Sequence, residues 1–262
     1  MPIADVNGQK LYYEDTGGSG PPVVFSHGLF MDHEMFKPQV EALKGRYRVI
    51  TWDERGHGRT AGATLPEFSY YDSADDLAAL LAHLGIERCV VAGMSQGGFL
   101  SMRAALTHTE VVKALILIDT QAGREDPAAM AGYQQLIDGW TTNGLSDDTA
   151  EFVASIILGD GWSGADDWKA KWRTFTPANV LGCWHCLSHR DDITARLKEI
   201  KVPTLVLHGD ADRAIALSLA KTLAGEIAGA ELVIVPGAGH AANLTHPEIA
   251  NPAIERFLAT AA

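Results

Sequence analysis

Short apolar runs separated by helical stretches constrain this chain more than any other feature of its sequence. The runs cover residues 23–25, 49–52, 89–92, 114–118, 204–207 and 232–235. They are continuous rather than alternating in polarity, as strands covered on both faces must be. Residues 72–84 form the clearest intervening helix: Asp72 or Ser73 can cap it, and Leu77, Leu80, Leu81 and Leu84 recur at helical spacing. A hairpin precedes the series, with residues 3–6, an Asn7-Gly8 turn of the kind that needs positive φ, and then Leu11, Tyr12 and Tyr13. Together these features predict an α/β fold, a mostly parallel sheet with an antiparallel N-terminal hairpin and helices on both faces.

The rhythm breaks between residues 123 and 198. No strand-like run occurs there, while helical stretches carry Trp140, Trp162, Trp168, Trp172, Phe175 and Trp184, including five of the six tryptophans of the chain. This predicts a helical cap at 123–198, inserted after the 114–118 strand, with residues 1–122 and 199–262 forming one core. Most of the rings are expected to fasten the cap to the sheet. Phe30, Trp140, Trp162 and Trp184 are expected to face a substrate pocket.

Charge and cysteine usage narrow the function. The 262 residues hold 21 Lys+Arg against 33 Asp+Glu, a formal charge of -12, which is the wrong sign for a nucleic-acid footprint. No window approaches the ~18 consecutive apolar residues of a membrane span, and the first residues lack a basic start followed by an apolar stretch. Cys89, Cys183 and Cys186 are too few for a secreted disulfide scaffold, so free thiols and a cytoplasmic location are expected.

The chemistry centres on Gly93-Met94-Ser95-Gln96-Gly97, a G-x-S-x-G sequence that follows an apolar strand and opens a helical stretch at 99–106. A serine on such a turn is a strained, exposed nucleophile, and it needs a base and a group to orient the base. His240, in a loop after the last predicted strand, is the base candidate. For the orienting acid, Asp212 is preferred within Leu207-His208-Gly209-Asp210-Ala211-Asp212, Asp210 is expected to brace the turn, and Asp119 at the end of the 114–118 strand is a third option. The N–H of Leu29, in the loop after the first parallel strand, can face that of Gln96 as an oxyanion donor pair. His27 is expected to fix that loop.

Five segments now fall into register: Ser26-His27-Gly28, Asp53-Glu54-Arg55-Gly56-His57-Gly58-Arg59-Thr60, the Ser95 turn, Gly209-Asp210-Ala211-Asp212 and Gly239-His240. Their types and order resemble the α/β-hydrolase fold family over essentially the whole chain. The resemblance implies a triad of Ser95, Asp212 and His240, an oxyanion hole of Leu29 and Gln96, and a structural turn at 53–60. A serine nucleophile argues against the haloalkane dehalogenase and epoxide hydrolase branches, which form an ester on a carboxylate. Phe30 stands where cofactor-free haloperoxidases usually carry proline, which argues against efficient perhydrolysis. The acid turn, Asp212 to Ala216, also lacks the proline common shortly after the acid.

Within the family the chain looks most like the serine esterase and lactonase branch, which includes 3-oxoadipate enol-lactonases and enzymes that open N-acyl homoserine lactones. An anionic enol-lactone calls for a local arginine, with Arg124, Arg173 and Arg190 as candidates. The tryptophan-rich cap instead favours a neutral, partly apolar ester or lactone, such as an acyl homoserine lactone. A non-catalytic ligand-binding member of the fold is the alternative of another class. The partner is a small-molecule substrate, with no nucleic acid and no membrane; the chemistry needs no metal and no cofactor, and no feature specifies an oligomeric state. Cys183-Trp184-His185-Cys186 lacks the further ligands of a zinc site, Asp147-Asp148 and Asp166-Asp167 read as helix starts, and Gly17 to Gly20 is a loop.

Overall fold

A computed structural model describes residues 2–60, 65 and 67–262. The hairpin forms as expected, with β1 (Ile3–Val6) and β2 (Gln9–Asp15) antiparallel about Asn7, whose φ of 48° the short turn requires. β3 (Pro22–Ser26) leads through α1 (Lys37–Leu43) to β4 (Arg48–Trp52). α2 (Tyr70–His83), β5 (Cys89–Met94), α3 (Gln96–Thr107) and β6 (Val112–Ile118) follow. Four helices then intervene: α4 (Pro127–Asn143), α5 (Asp147–Ile157), α6 (Ala165–Trp172) and α7 (Pro177–Ser188). The chain closes with β7 (Thr204–Gly209), α8 (Leu217–Glu226), β8 (Glu231–Val235), α9 (Ala242–Thr245) and α10 (Pro247–Ala261).

The strands form one eight-stranded sheet in the order β1-β2-β4-β3-β5-β6-β7-β8. From β4 to β8 every pairing is parallel, and β2 joins β4 antiparallel. Every residue of β5 and β7 is buried, which is why those runs read as unbroken apolar segments. Register sets the site: Ser26 pairs with Gly93, Met94 with Ile118, Ile118 with Leu207 and Gly209 with Val235. The loops after β3, β5, β6, β7 and β8 therefore leave the sheet along one rim, where α/β sites assemble.

Helix α2 starts before the expected 72. Ser69 caps it, its Oγ accepting from the Asp72 amide at 3.4 Å while the Asp72 carboxylate accepts from the Ser69 amide at 2.8 Å. Asp72 is thus the third residue of a capping box rather than the cap itself. Between β6 and β7 the described residues contain helices and no strand. Trp172 ties this insertion down, its indole N–H donating to the Phe30 carbonyl at 2.9 Å. Asn179 Nδ2 donates to Gly56 O at 2.9 Å, and Lys171 bridges to Asp32 at 2.6 Å and Glu34 at 2.7 Å. No helix among the described residues is long and apolar enough to cross a membrane.

Candidate active site

Ser95 occupies the one-residue step between β5 and α3, with φ 52° and ψ -114°. Two crowded glycines permit the turn: a Cβ on Gly93 would collide with the Gly97 carbonyl, and one on Gly97 with the Ser26 carbonyl. The Ser95 amide donates to Ile118 O at 2.9 Å, and its carbonyl accepts from Thr120 Oγ1 at 2.8 Å and from the Gly98 amide at 2.9 Å. A backbone that would otherwise relax is over-determined by these bonds. Phe30 (φ 60°) and Asp119 (φ 45°) share positive φ, so three of the strained non-glycine residues border this rim.

The loops after β7 and β8 bring two more side chains to Ser95. His240 Nε2 lies 2.9 Å from Ser95 Oγ, and His240 Nδ1 lies 2.8 Å from Asp212 Oδ2. Asp212 Oδ1 accepts from the amides of Ala214 at 2.8 Å and Ile215 at 2.9 Å, which fixes the carboxylate. With Nδ1–H committed to Asp212, Nε2 is the acceptor facing the serine hydroxyl. Burial opposes a charged imidazole, but the Asp212 charge and hydrogen bond outweigh it and lift the His240 pKa above its ordinary value. Burial likewise opposes the Asp212 carboxylate, and His240 with the loop amides holds it below the usual range.

The competing acids are spoken for elsewhere. Asp210 Oδ1 accepts from the Gly237 amide at 2.7 Å, the turn brace expected of it. Asp119 accepts from the amides of Gly209 and Ala242, each at 2.8 Å, and so laces the β7 end to the chain after His240. Burial and the nearby Asp212 charge push the Asp119 carboxyl well above the usual carboxylate range.

Of the two amides considered for an oxyanion, that of Gln96 directly follows Ser95, and Leu29 lines the same cavity as Ser95. Gln96 is the first residue of α3, where amides have no helical acceptor, and among the described residues the Leu29 amide has no protein acceptor. His27 braces the Leu29 loop from below: Nδ1–H donates to Gly28 O at 2.8 Å and Nε2 accepts from the Glu54 amide at 3.0 Å.

Ser95, His240 and Leu29 open into a cavity of about 120 Å³. Comparison with known proteins fits this architecture, because the α/β hydrolase fold family matches residues 21–247. The chain belongs to the α/β-hydrolase fold family. A Synechocystis protein that carries the provisional name non-heme chloroperoxidase is 33% identical over 95% of this chain and 94% of its own length. A thermophilic esterase from Thermogutta terrifontis superposes with a TM-score of 0.88 at 28% identity, covering 97% of this chain and 94% of its own. An enol-lactonase from Burkholderia xenovorans LB400 does so with a TM-score of 0.89 at 26% identity, covering 98% and 100%.

The walls of this α/β-hydrolase cavity correct part of the aromatic expectation. Phe30 and Trp184 line it; Trp140 and Trp162 do not. Trp140 stands behind Phe30, with ring centroids 4.8 Å apart, and also packs on Phe175. Trp162 lies in a separate surface crevice with Asp160 and Lys169. Their places are taken by Tyr133, Leu136 and Ile137 of α4 and by Phe152, Val153, Ile156 and Ile157 of α5. These residues recur at i, i+3 and i+4, a signal present in the sequence that reads equally well as core packing.

The arginines weighed for an anionic substrate are also elsewhere. Arg173 pairs with Asp147 on the surface at 2.6 Å, Arg190 pairs with Glu125 at 3.0 Å, and none of Arg124, Arg173 and Arg190 lines the cavity. Glu125 does line it and had no sequence signal. Cys183 and Cys186 are buried free thiols, with Cys183 Sγ 3.6 Å from His57 Nδ1. Among the described residues, two separate groups bring possible metal-ligand atoms close together, Asp32, His33 and Asp53 in one and Asp119, His208 and Asp212 in the other. Asp53 Oδ1 already accepts from the His33 amide and imidazole at 2.7 Å each, and Asp53 Oδ2 from the Arg59 amide at 2.8 Å, which is the work of a turn.

Proposed function

We propose that this α/β hydrolase is a serine hydrolase that cleaves neutral, partly apolar carboxylic esters or lactones, such as a short acyl homoserine lactone, through an acyl-enzyme. The observation that carries the reading is the contiguous Ser95–His240–Asp212 relay, whose serine and histidine line an apolar cavity that, among the described residues, has no lining arginine or lysine. Ser95 Oγ attacks the carbonyl as its proton passes to His240 Nε2, and Asp212 holds the tautomer and stabilises the imidazolium. The amides of Leu29 and Gln96 meet the tetrahedral oxyanion, with Gln96 adding the positive end of α3. His240 then protonates the departing alkoxide. Water, deprotonated by the same imidazole, attacks the acyl-enzyme, and the carboxylic acid leaves with Ser95 reprotonated. In a lactone the alkoxide stays tethered and can re-attack, so hydrolysis depends on water entering in competition. Residues 123–198 act as a cap whose α4 and α5 faces select the acyl group.

Similarity to an enol-lactonase favours a second reading, hydrolysis of an anionic enol-lactone. The described cavity wall offers such a carboxylate no cation, so the neutral substrate is preferred. A purely ligand-binding role leaves the three-residue relay without a task. The test is fluorophosphonate labelling with mass-spectrometric mapping, alongside turnover of p-nitrophenyl butyrate, an acyl homoserine lactone and an enol-lactone. Labelling at Ser95 and loss of ester turnover in Ser95→Ala are expected. A folded protein that neither labels nor turns over any of these substrates would refute the hydrolase reading.

A further inference from the structure

One acid on the cavity wall has no part in the mechanism above. Glu125 lies between β6 and α4 and lines the same cavity as Ser95 and His240. Behind it, Arg190 Nη2 donates to Glu125 Oε1 at 3.0 Å. The guanidinium is locked in place: Nε donates to Gly123 O at 2.9 Å, Nη1 to Leu187 O at 3.3 Å, and its carbon lies 4.3 Å from the Phe99 ring centre. The Arg190 side chain is only 2% exposed and does not reach the cavity. The ion pair is therefore oriented, with its carboxylate toward the substrate space and its cation behind. Among the described residues, Glu125 is the one carboxylate on that wall.

Two properties follow from this orientation. The Glu125 carboxylate is the cavity-facing end of this ion pair, so an anionic group entering the apolar cavity meets the negative end first, without a lining cation to offset it. A carboxylate also offers about four acceptor positions. Here Arg190 takes one oxygen and Gln121 Nε2 approaches the other at 3.3 Å, so acceptor capacity remains. The charge reaches the reacting groups, since Glu125 is among the causes that lift His240.

We propose that Glu125, set by Arg190, is a specificity-determining residue that rejects anionic substrates and accepts a hydrogen bond from an N–H or O–H group of a neutral one. The proposal rests on the ester and lactone reading and narrows its substrates to neutral compounds bearing a donor, such as an amide N–H near the scissile carbonyl.

The test compares paired substrates, so that a general loss of activity cancels in the ratio. The first pair is p-nitrophenyl butyrate and mono-p-nitrophenyl succinate, which differ by a terminal methyl against a carboxylate. The second is the p-nitrophenyl esters of N-acetylglycine and N-acetylsarcosine, which differ by an N–H. The natural protein should favour butyrate by about 100-fold or more in kcat/KM, from like-charge exclusion. It should favour the N–H ester by roughly tenfold, the worth of one hydrogen bond to a charged acceptor. Glu125→Gln should cut the first ratio by at least about tenfold. Because that variant leaves Arg190 buried without its partner, Glu125→Leu/Arg190→Met, which removes both charges, is the second arm. It should lose both preferences. Butyrate turnover that Ser95→Ala abolishes establishes the parent reading on its own. Given that turnover, equal rates on butyrate and succinate in the natural protein, or unchanged ratios in whichever variant folds, would overturn the role of Glu125.

Discussion

The substitution Asp212→Asn separates the orienting acid from the rest of the site. The side-chain oxygen of the introduced asparagine would keep the acceptor role of Oδ1, which holds the Ala214 and Ile215 amides at 2.8 and 2.9 Å. Reversing the amide would face two backbone donors with a third and lose both bonds, so the nitrogen must point where Oδ2 now meets His240 Nδ1 at 2.8 Å. Nδ1 then has to accept, the ring proton moves to Nε2, and Ser95 Oγ at 2.9 Å faces a donor instead of a base. A wrong tautomer in an otherwise intact relay lowers kcat by about 10⁴. That factor corresponds to roughly 5.5 kcal/mol of transition-state stabilisation. The assay is steady-state hydrolysis of p-nitrophenyl butyrate at pH 8, with near-ultraviolet circular dichroism to verify packing. A folded variant with kcat within about tenfold of the natural protein would refute the reasoning, because no hydrogen-bond rearrangement at that side chain restores the base so fully.

Asp119→Asn should give the opposite balance: turnover within about tenfold, and a stability loss of about 1–3 kcal/mol by urea titration, because one of the two buried amides it holds loses its acceptor. Abolished turnover at unchanged stability would move the acid role to Asp119. The raised His240 pKa predicts that kcat/KM climbs with pH through a midpoint above the ordinary imidazole value of about 6.5, since only the neutral ring is a base. The stability from protonated His240 beside Asp212 is fully present below that value and is lost as pH rises through the raised pKa, so activity increases as stability declines. A midpoint at or below the ordinary value contradicts the assignment. Phe30→Pro should lower kcat by about 10² to 10³ by displacing the Leu29 donor, because a proline ring near φ -65° cannot occupy a backbone at φ 60°. No perhydrolysis should appear in that variant, and unimpaired ester turnover would show that the loop geometry does not matter. The cavity of about 120 Å³ is smaller than one of about 150 Å³ that holds benzene, so rates across p-nitrophenyl esters should peak at short acyl chains and fall by dodecanoate.

The sheet and the serine turn are legible because each writes itself locally. A strand covered on both faces must be apolar at every position, so residues 89–92 and 204–207 show in the sequence what β5 and β7 are in the fold. The Ser95 turn needs glycine on both sides within two residues, for collisions that the sequence itself encodes. Helix α2 shows the limit of local reading, because Ser69 and Asp72 are both good caps and only the reciprocal pair of bonds decides which residue serves.

The cavity wall resists the same reading for a physical reason. An apolar residue facing a substrate and one facing the core obey the same helical period, and the relative rotation of α4 and α5 against the sheet, which no local segment specifies, decides between them. Size alone points to Trp140 and Trp162 as wall residues, yet large rings are the residues that fasten an insertion, as Trp172 does through its bond to Phe30 O. The cavity wall falls to smaller side chains such as Ile137 and Ile156. The Glu125–Arg190 pair spans 65 positions, and neither residue has a distinctive neighbour in sequence. What marks it is an asymmetry visible only in three dimensions: one member of a part-buried pair lines the cavity that Ser95 and His240 also line, and the other does not. A buried charge that serves stability alone has little reason to be presented to a cavity, where apolar residues of similar volume would often be at least as stabilising. The orientation of the pair, more than its existence, is therefore the argument for a role in choosing substrates.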